Sequence, residues 1–215
     1  MTNKFYIFGI ALMAAVCTAI LLAYPHLPSM VPTHWNVHGE ANGFSPKWSL
    51  FLIFPGLMAG IMVLFRLLPW LSPKHWGVES FRSTYLYIMA VLLCLMAYLA
   101  GVTLWVGMGR AMDVTRMVIG GVCLLFALIG LALGRVHRNF YIGVRTPWTL
   151  ANDRVWDETH RLAMKTFVVA GLAGLALTVL GLSGWPTFVV LILGALVPAV
   201  FSLVIYKRME RSGSL

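Results

Sequence analysis

Residues 163–182, AMKTFVVAGLAGLALTVLGL, and 187–206, TFVVLILGALVPAVFSLVIY, are two apolar runs separated only by Ser183-Gly184-Trp185-Pro186. A helix that crosses a bilayer takes about 20 mainly apolar residues. The pair therefore reads as two spans joined by a tight turn, an antiparallel hairpin within a membrane. Working outward, four more runs of this kind occupy 5–24, 48–68, 85–106 and 114–133. The expected fold class is an all-α membrane protein with six transmembrane helices. Composition agrees, with 60% of the 215 residues hydrophobic and 11% charged, against about 25% charged in a soluble domain. The first partner is the lipid bilayer. The formal net charge of +9 is then a matter of topology and lipid headgroups, and no direct contact with nucleic acid is expected.

Lysine and arginine fix an expected orientation. With the N-terminus inside, the inner segments hold Lys4; Arg66, Lys74 and Arg82; Arg135, Arg138, Arg145, Arg154, Arg161 and Lys165; and Lys207, Arg208 and Arg211. The outer segments hold only Lys47, Arg110 and Arg116. Cytoplasmic loops carry the excess of positive charge, so both termini are expected in the cytoplasm. The run 5–24 is longer than the apolar core of a signal peptide and no clear A-x-A cleavage site follows it, so it reads as a retained span. Trp48, Trp70, Trp105 and Trp185 fall at span ends, where amphipathic rings favour the headgroup layer. Cys17, Cys94 and Cys123 each lie in an apolar run with no CxxC spacing, which gives neither a disulfide framework nor a zinc ribbon. Gly56-x-x-x-Gly60 and Gly130-x-x-x-Gly134 are spaced for close helix contact. Pro55 and Pro198 fall within spans as possible kinks.

Two polar islands interrupt the apolar chain. The outer one runs from Pro32 to Lys47 and contains His34, Trp35, Asn36, His38, Gly39, Glu40, Asn42 and Gly43. Gly39 and Asn42-Gly43 are turn chemistry. His34 and His38, four apart, would share one face of a helical turn, with Glu40 supplying a carboxylate to a metal; Gly39 breaks such a helix. A titrating histidine and a compact loop held by side-chain-to-backbone hydrogen bonds are the alternatives.

The inner island runs from Arg135 to about Leu162. Thr146 before Pro147 is forced to be extended. Asn152 or Thr149 can cap a helix that begins near Asp153. Val155, Trp156, Thr159 and Leu162 are spaced as an apolar stripe that could rest on the membrane surface. The island is either a structured connector or a docking surface for protein or lipid. His160 beside Glu158 is not H-E-x-x-H, and no G-x-S-x-G or phosphate-cradling glycine loop is legible. No enzyme activity and no cofactor are expected.

Both islands resemble a known family. Residues Ile142-Gly143-Val144-Arg145-Thr146-Pro147-Trp148-Thr149-Leu150, with Val155-Trp156 and Thr159-His160-Arg161, look like the signature of the SdpI family of bacterial membrane proteins. Pro32-x-His34-Trp35-Asn36, with Gly39, Asn42-Gly43 and Lys47, resembles the domain of unknown function found at the N-terminal end of many SdpI-like proteins. The resemblance implies an immunity protein that resists a secreted killing peptide, the sporulation-delay toxin in the best-known case. It also implies a signal transducer that holds a cytoplasmic helix-turn-helix repressor at the membrane. On that reading the chain divides into a two-helix unit, 1–70, and a four-helix SdpI-like unit, 71–215, with a cytoplasmic loop at 135–162. His34, Asn36, Gly39, Asn42 and Lys47 would face the peptide or set the geometry between helices one and two. Asn139, Gly143, Arg145, Thr146, Pro147, Trp148, Thr149, Trp156, Thr159, His160 and Arg161 would form the docking segment. The rival readings are a solute or lipid transporter with a cavity lined by Thr18, Thr103, Thr178 or Ser202, and a metal-dependent membrane enzyme using His34, His38 and Glu40.

Overall fold

The structure is a computed structural model that describes residues 3–36, 39–73, 76–182 and 184–215. His38, Lys74 and Ser183, to which the sequence reading gave roles, lie outside the described residues. The elements in chain order are α1 (Asn3–Ala23), β1 (Met30–Trp35), β2 (Ala41–Pro46), α2 (Ser49–Phe51), α3 (Leu57–Leu71), α4 (Arg82–Gly107), α5 (Val114–Leu133), α6 (Pro147–Ala151), α7 (Asp153–Val179) and α8 (Trp185–Arg211). Six stretches of the described residues are long and apolar enough to cross a membrane: Asn3–His26, Ser49–Leu71, Glu79–Gly107, Val114–Leu133, Asp153–Val179 and Trp185–Arg211. This is a multi-pass membrane protein, with the six spans in the order the sequence predicts. The second span passes from α2 to α3 through one π-helical turn, Leu52–Gly56, that contains Pro55. Proline cannot donate an intrahelical hydrogen bond, and a single wide turn absorbs that loss.

The bundle packs by two different means. Around α1, α3 and α4 large side chains interlock: Ile20, Leu50, Met58, Met89 and Leu93 have no exposed surface. The Tyr85 hydroxyl, buried beside them, donates to the Phe65 carbonyl at 3.1 Å. Between α5 and α7 the backbones themselves meet. A Cβ at Gly171 would lie 2.5 Å from the Ala127 nitrogen and 2.6 Å from the Cys123 oxygen, and one at Gly130 would lie 2.9 Å from the Val168 nitrogen. A Cβ at Gly194 of α8 would lie 2.5 Å from that of Ala170 on α7, and the Thr166 hydroxyl donates to the Gly194 carbonyl at 2.8 Å. Close approach over small residues lets helices associate in lipid, where apolar surface alone gives no preference. Gly130 and Gly134 both face α7, whereas Gly56 meets only its own turn and Gly60 meets nothing. The spacing rule therefore picked one true contact and one false one, and it missed Gly171 and Gly194.

The all-α expectation needs one correction. β1 and β2 form an antiparallel hairpin, with Met30 opposite Pro46, Val31 opposite Ser45 and Pro32 opposite Phe44, and an irregular register around His34. Asn42-Gly43, which reads as a turn, lies inside β2; the chain reverses between Asn36 and Glu40 instead. Buried Val31 anchors the hairpin. A Cβ at Gly107, the last residue of α4, would lie 3.0 Å from Leu27 and 3.7 Å from Val31. The hairpin thus caps the end of the bundle where α1 and α4 finish and α5 begins.

Candidate functional site

The hairpin spends its polar groups locally. His34 Nδ1 donates to Asn42 Oδ1 at 2.6 Å, an exposed pair that crosses the two strands. Asn36 Nδ2 donates to Glu40 Oε2 at 2.8 Å, and Asn36 Oδ1 accepts from the Glu40 amide at 3.0 Å. Gly39 has φ +80°, and a Cβ there would lie 2.9 Å from the Thr115 hydroxyl oxygen. Glycine at this point lets the tip rest on the first turn of α5. Lys47 Nζ donates to the Tyr24 and Leu27 carbonyls at 2.9 and 3.2 Å and sits 4.4 Å from the centre of the Tyr24 ring. A cation among the carbonyls at a helix C-terminus is favourably placed, so Lys47 ties the hairpin to α1.

The metal arrangement drawn from His34, His38 and Glu40 is corrected in part. His34 lies on a strand, so the shared helical face does not exist, and the Glu40 carboxylate already accepts from Asn36. Among the described residues no group of three metal-ligating side chains converges.

The connector between α5 and α7 lies at the opposite end of the bundle. Asn139 is fully buried and saturated: its Nδ2 donates to the His137 and Ile142 carbonyls, and its Oδ1 accepts from the Tyr141 and Ile142 amides, all within 3.0 Å. This one side chain shapes the turn that delivers Gly143. Gly143 has φ +116°, a region that disfavours any side chain, and a Cβ there would fall 2.2 Å from His160 Nε2. That gap lets the Val144 amide donate to His160 Nε2 at 3.0 Å. His160 Nδ1 donates to the Trp156 carbonyl at 2.8 Å. With one ring nitrogen accepting and the other donating, the imidazole is neutral with its proton on Nδ1. The ring stacks on Trp156 at 4.0 Å between centres, and Trp156 Nε1 donates to the Val136 carbonyl at 2.7 Å. Two aromatic residues one turn apart on α7 therefore clasp both limbs of the connector.

Threonines extend the clasp. Thr146 is extended, as its proline neighbour requires, and forms a reciprocal capping box with Thr149 around α6. The Thr149 hydroxyl lies 2.8 Å from the Val144 carbonyl and the Thr146 hydroxyl 2.8 Å from the Ser202 hydroxyl. Ser202 donates to the Ala199 carbonyl, so Thr146 donates to Ser202, and the connector is tethered to α8. Asn152, not Thr149, caps α7 by accepting from the Arg154 and Val155 amides. α7 then continues unbroken from Asp153 into its span. The surface stripe expected at Val155, Trp156, Thr159 and Leu162 is corrected accordingly: Val155, Trp156 and Thr159 have no exposed surface and are packed inside the protein. The Thr159 hydroxyl has no hydrogen-bond partner among the described residues.

Of the docking residues inferred from sequence, Asn139, Thr149, Trp156, Thr159 and His160 are buried, and Gly143, Thr146 and Trp148 are half-buried. Arg145, Pro147 and Arg161 are exposed. Arg145 donates to the Phe140 carbonyl and Arg161 pairs with Glu158 at 2.7 Å. Sequence reasoning missed the interaction of Arg138 with Asp153 at 2.7 Å and its position 4.8 Å from the Trp76 ring centre. It also missed the tether from Thr146 to Ser202; no local spacing signals either contact. Of the residues proposed as cavity lining, Thr178 lines an apolar cleft of about 310 Å³ bordered by α4, α5 and α7, and both Thr18 and Thr178 donate to carbonyls one turn earlier on their own helices.

Comparison with known proteins places both regions. Residues 135–204 match the model of the SdpI/YfhL protein family, a segment that holds the connector, α6, α7 and most of α8. Residues 9–59 match the model of a Domain of unknown function (DUF1648), which holds most of α1 and the whole hairpin. The chain is similar to "Immunity protein SdpI" of Bacillus subtilis (strain 168), with 26% identity over 154 residues, 72% of this chain and 71% of that protein. No solved structure matches. The family resemblance carried by the two islands is thus the one that the comparisons find.

Proposed function

We propose that this chain, with its SdpI/YfhL segment and its DUF1648 segment, is an immunity protein of the bacterial cytoplasmic membrane that protects its host from a secreted toxic peptide. The observation that carries this reading is the similarity to an immunity protein over 72% of the chain, beside the two family matches that cover the hairpin and the connector. The chain works by binding rather than by catalysis. The hairpin faces outward, where a secreted peptide arrives, and presents the His34–Asn42 and Asn36–Glu40 pairs beside exposed Phe44 and Met30. The connector faces the cytoplasm and offers Arg145, Pro147 and Arg161 to a helix-turn-helix repressor.

A physical route between the two faces supports the signalling part. The hairpin tip rests on Thr115 at the start of α5, α5 meets α7 backbone to backbone, and α7 carries the clasping Trp156 and His160. A peptide that favours one arrangement of this unit by about 1–3 kcal/mol would be felt at the connector. The test is survival of peptide-sensitive cells that express the chain and lack other immunity. Protection is expected; unchanged killing at normal membrane abundance overturns the proposal. A pull-down of cytoplasmic proteins tests the repressor separately, and Arg145→Ala with Arg161→Ala is expected to abolish its capture.

A further inference from the structure

Two clefts open side by side where α1, α3 and the start of α4 meet, at the connector end of the bundle. One, of about 600 Å³, has apolar walls that include Ile7, Ile10, Met62 and Val63; the other encloses about 410 Å³. Tyr6, Arg66, Leu67 and Arg82 line both. Arg66 lies five residues before Leu71, the last residue of α3, roughly 7.5 Å along the axis at a rise of 1.5 Å per residue. Its long side chain can lift the guanidinium toward the headgroup layer. Among the described residues no carboxylate pairs with Arg66. Arg82 Nη1 holds both oxygens of Glu79, at 3.0 and 2.8 Å. That pairing leaves one net positive charge over an apolar trough. It also leaves Glu79, the only carboxylate among the described residues that line the cleft, already engaged.

We propose that this paired cleft is a binding site for an anionic phospholipid. One acyl chain lies along Ile7, Ile10, Met62 and Val63, and the phosphodiester sits on Arg66 with Arg82 beside it. A headgroup without an amine fits better than a zwitterionic one, because Glu79 is already taken. Tyr6 supplies a hydroxyl at the boundary between chain and headgroup. The site joins the first two spans to α4 and is independent of the immunity reading.

The test uses the full-length protein in nanodiscs of equal phosphatidylglycerol and phosphatidylethanolamine, transferred to detergent, with the retained lipid measured by native mass spectrometry. A preference of about fivefold for phosphatidylglycerol is expected, the size of one cation's effect near a membrane surface. Arg66→Gln should abolish the preference, Arg66→Lys should keep most of it, and Arg154→Gln, exposed and away from the cleft, should leave it unchanged. Ile10→Trp, which fills the trough from its lipid-facing side, should lower retention without altering the elution volume of the protein. Equal retention of the two lipids, or a preference that survives Arg66→Gln, overturns the proposal.

Discussion

At the hairpin, His34, Asn36, Glu40 and Asn42 pair with one another at the surface. At the connector, Asn139, Thr149 and His160 pair mainly with backbone groups and keep 1% or less of their surface exposed. The residue types are similar and the consequences differ. An exposed polar pair exchanges water for a side chain at little net gain, so it can be broken by an arriving ligand. A buried polar network costs the full desolvation of each group left unpaired, about 1–3 kcal/mol apiece. The comparison teaches that the hairpin's polar pairs can be exchanged at little cost, while the connector is a folded part whose shape depends on every buried pairing; under the proposed function that shape holds Arg145, Pro147 and Arg161 in place.

Gly143→Ala should break this contrast most severely. The new methyl group would occupy the space of His160 Nε2, and the positive φ adds strain. A loss of about 3 kcal/mol or more is expected, read as a lowered thermal midpoint and rapid proteolysis between 135 and 152. Trp156→Phe keeps the ring stack but orphans the Val136 carbonyl, and about 2 kcal/mol should be lost. Thr159→Val tests the opposite sign at the same end of the molecule. It removes a buried hydroxyl that lacks a partner, and stability should hold or rise by up to about 1 kcal/mol. His34→Ala should cost least, below about 1 kcal/mol, while lowering survival against the toxic peptide. A large destabilisation by His34→Ala, or a silent Gly143→Ala, would erase the difference between the two ends.

The six spans were legible because length and apolarity alone define them, and their order follows from the chain without any knowledge of contacts. Their ends were less so. α7 was expected to begin its span at 163, yet it runs from Asp153, because buried Trp156 and His160 need a long helix to reach the connector. The family motifs marked residues that lie in the connector or pack against it, but not their contacts. Gly143, Thr146, Trp156 and His160 stand out by type, whereas the contact of Thr146 with Ser202 joins residues too far apart in sequence to be read from spacing. The hairpin was missed because Pro32 and Gly43 argue against strands. Here Pro32 sits buried in a short two-stranded element, and Gly43 makes room for the His34 side chain across the ladder.

The account depends on the hairpin and the connector facing opposite compartments, the hairpin toward the peptide and the connector toward the cytoplasm. Cysteine labelling of intact cells with a membrane-impermeant thiol reagent tests this most directly, in single variants Phe44→Cys and Arg145→Cys, both at exposed positions. The account predicts that Phe44→Cys is labelled in intact cells and Arg145→Cys only after the membrane is opened. Labelling of Arg145→Cys in intact cells, with Phe44→Cys protected, would contradict it.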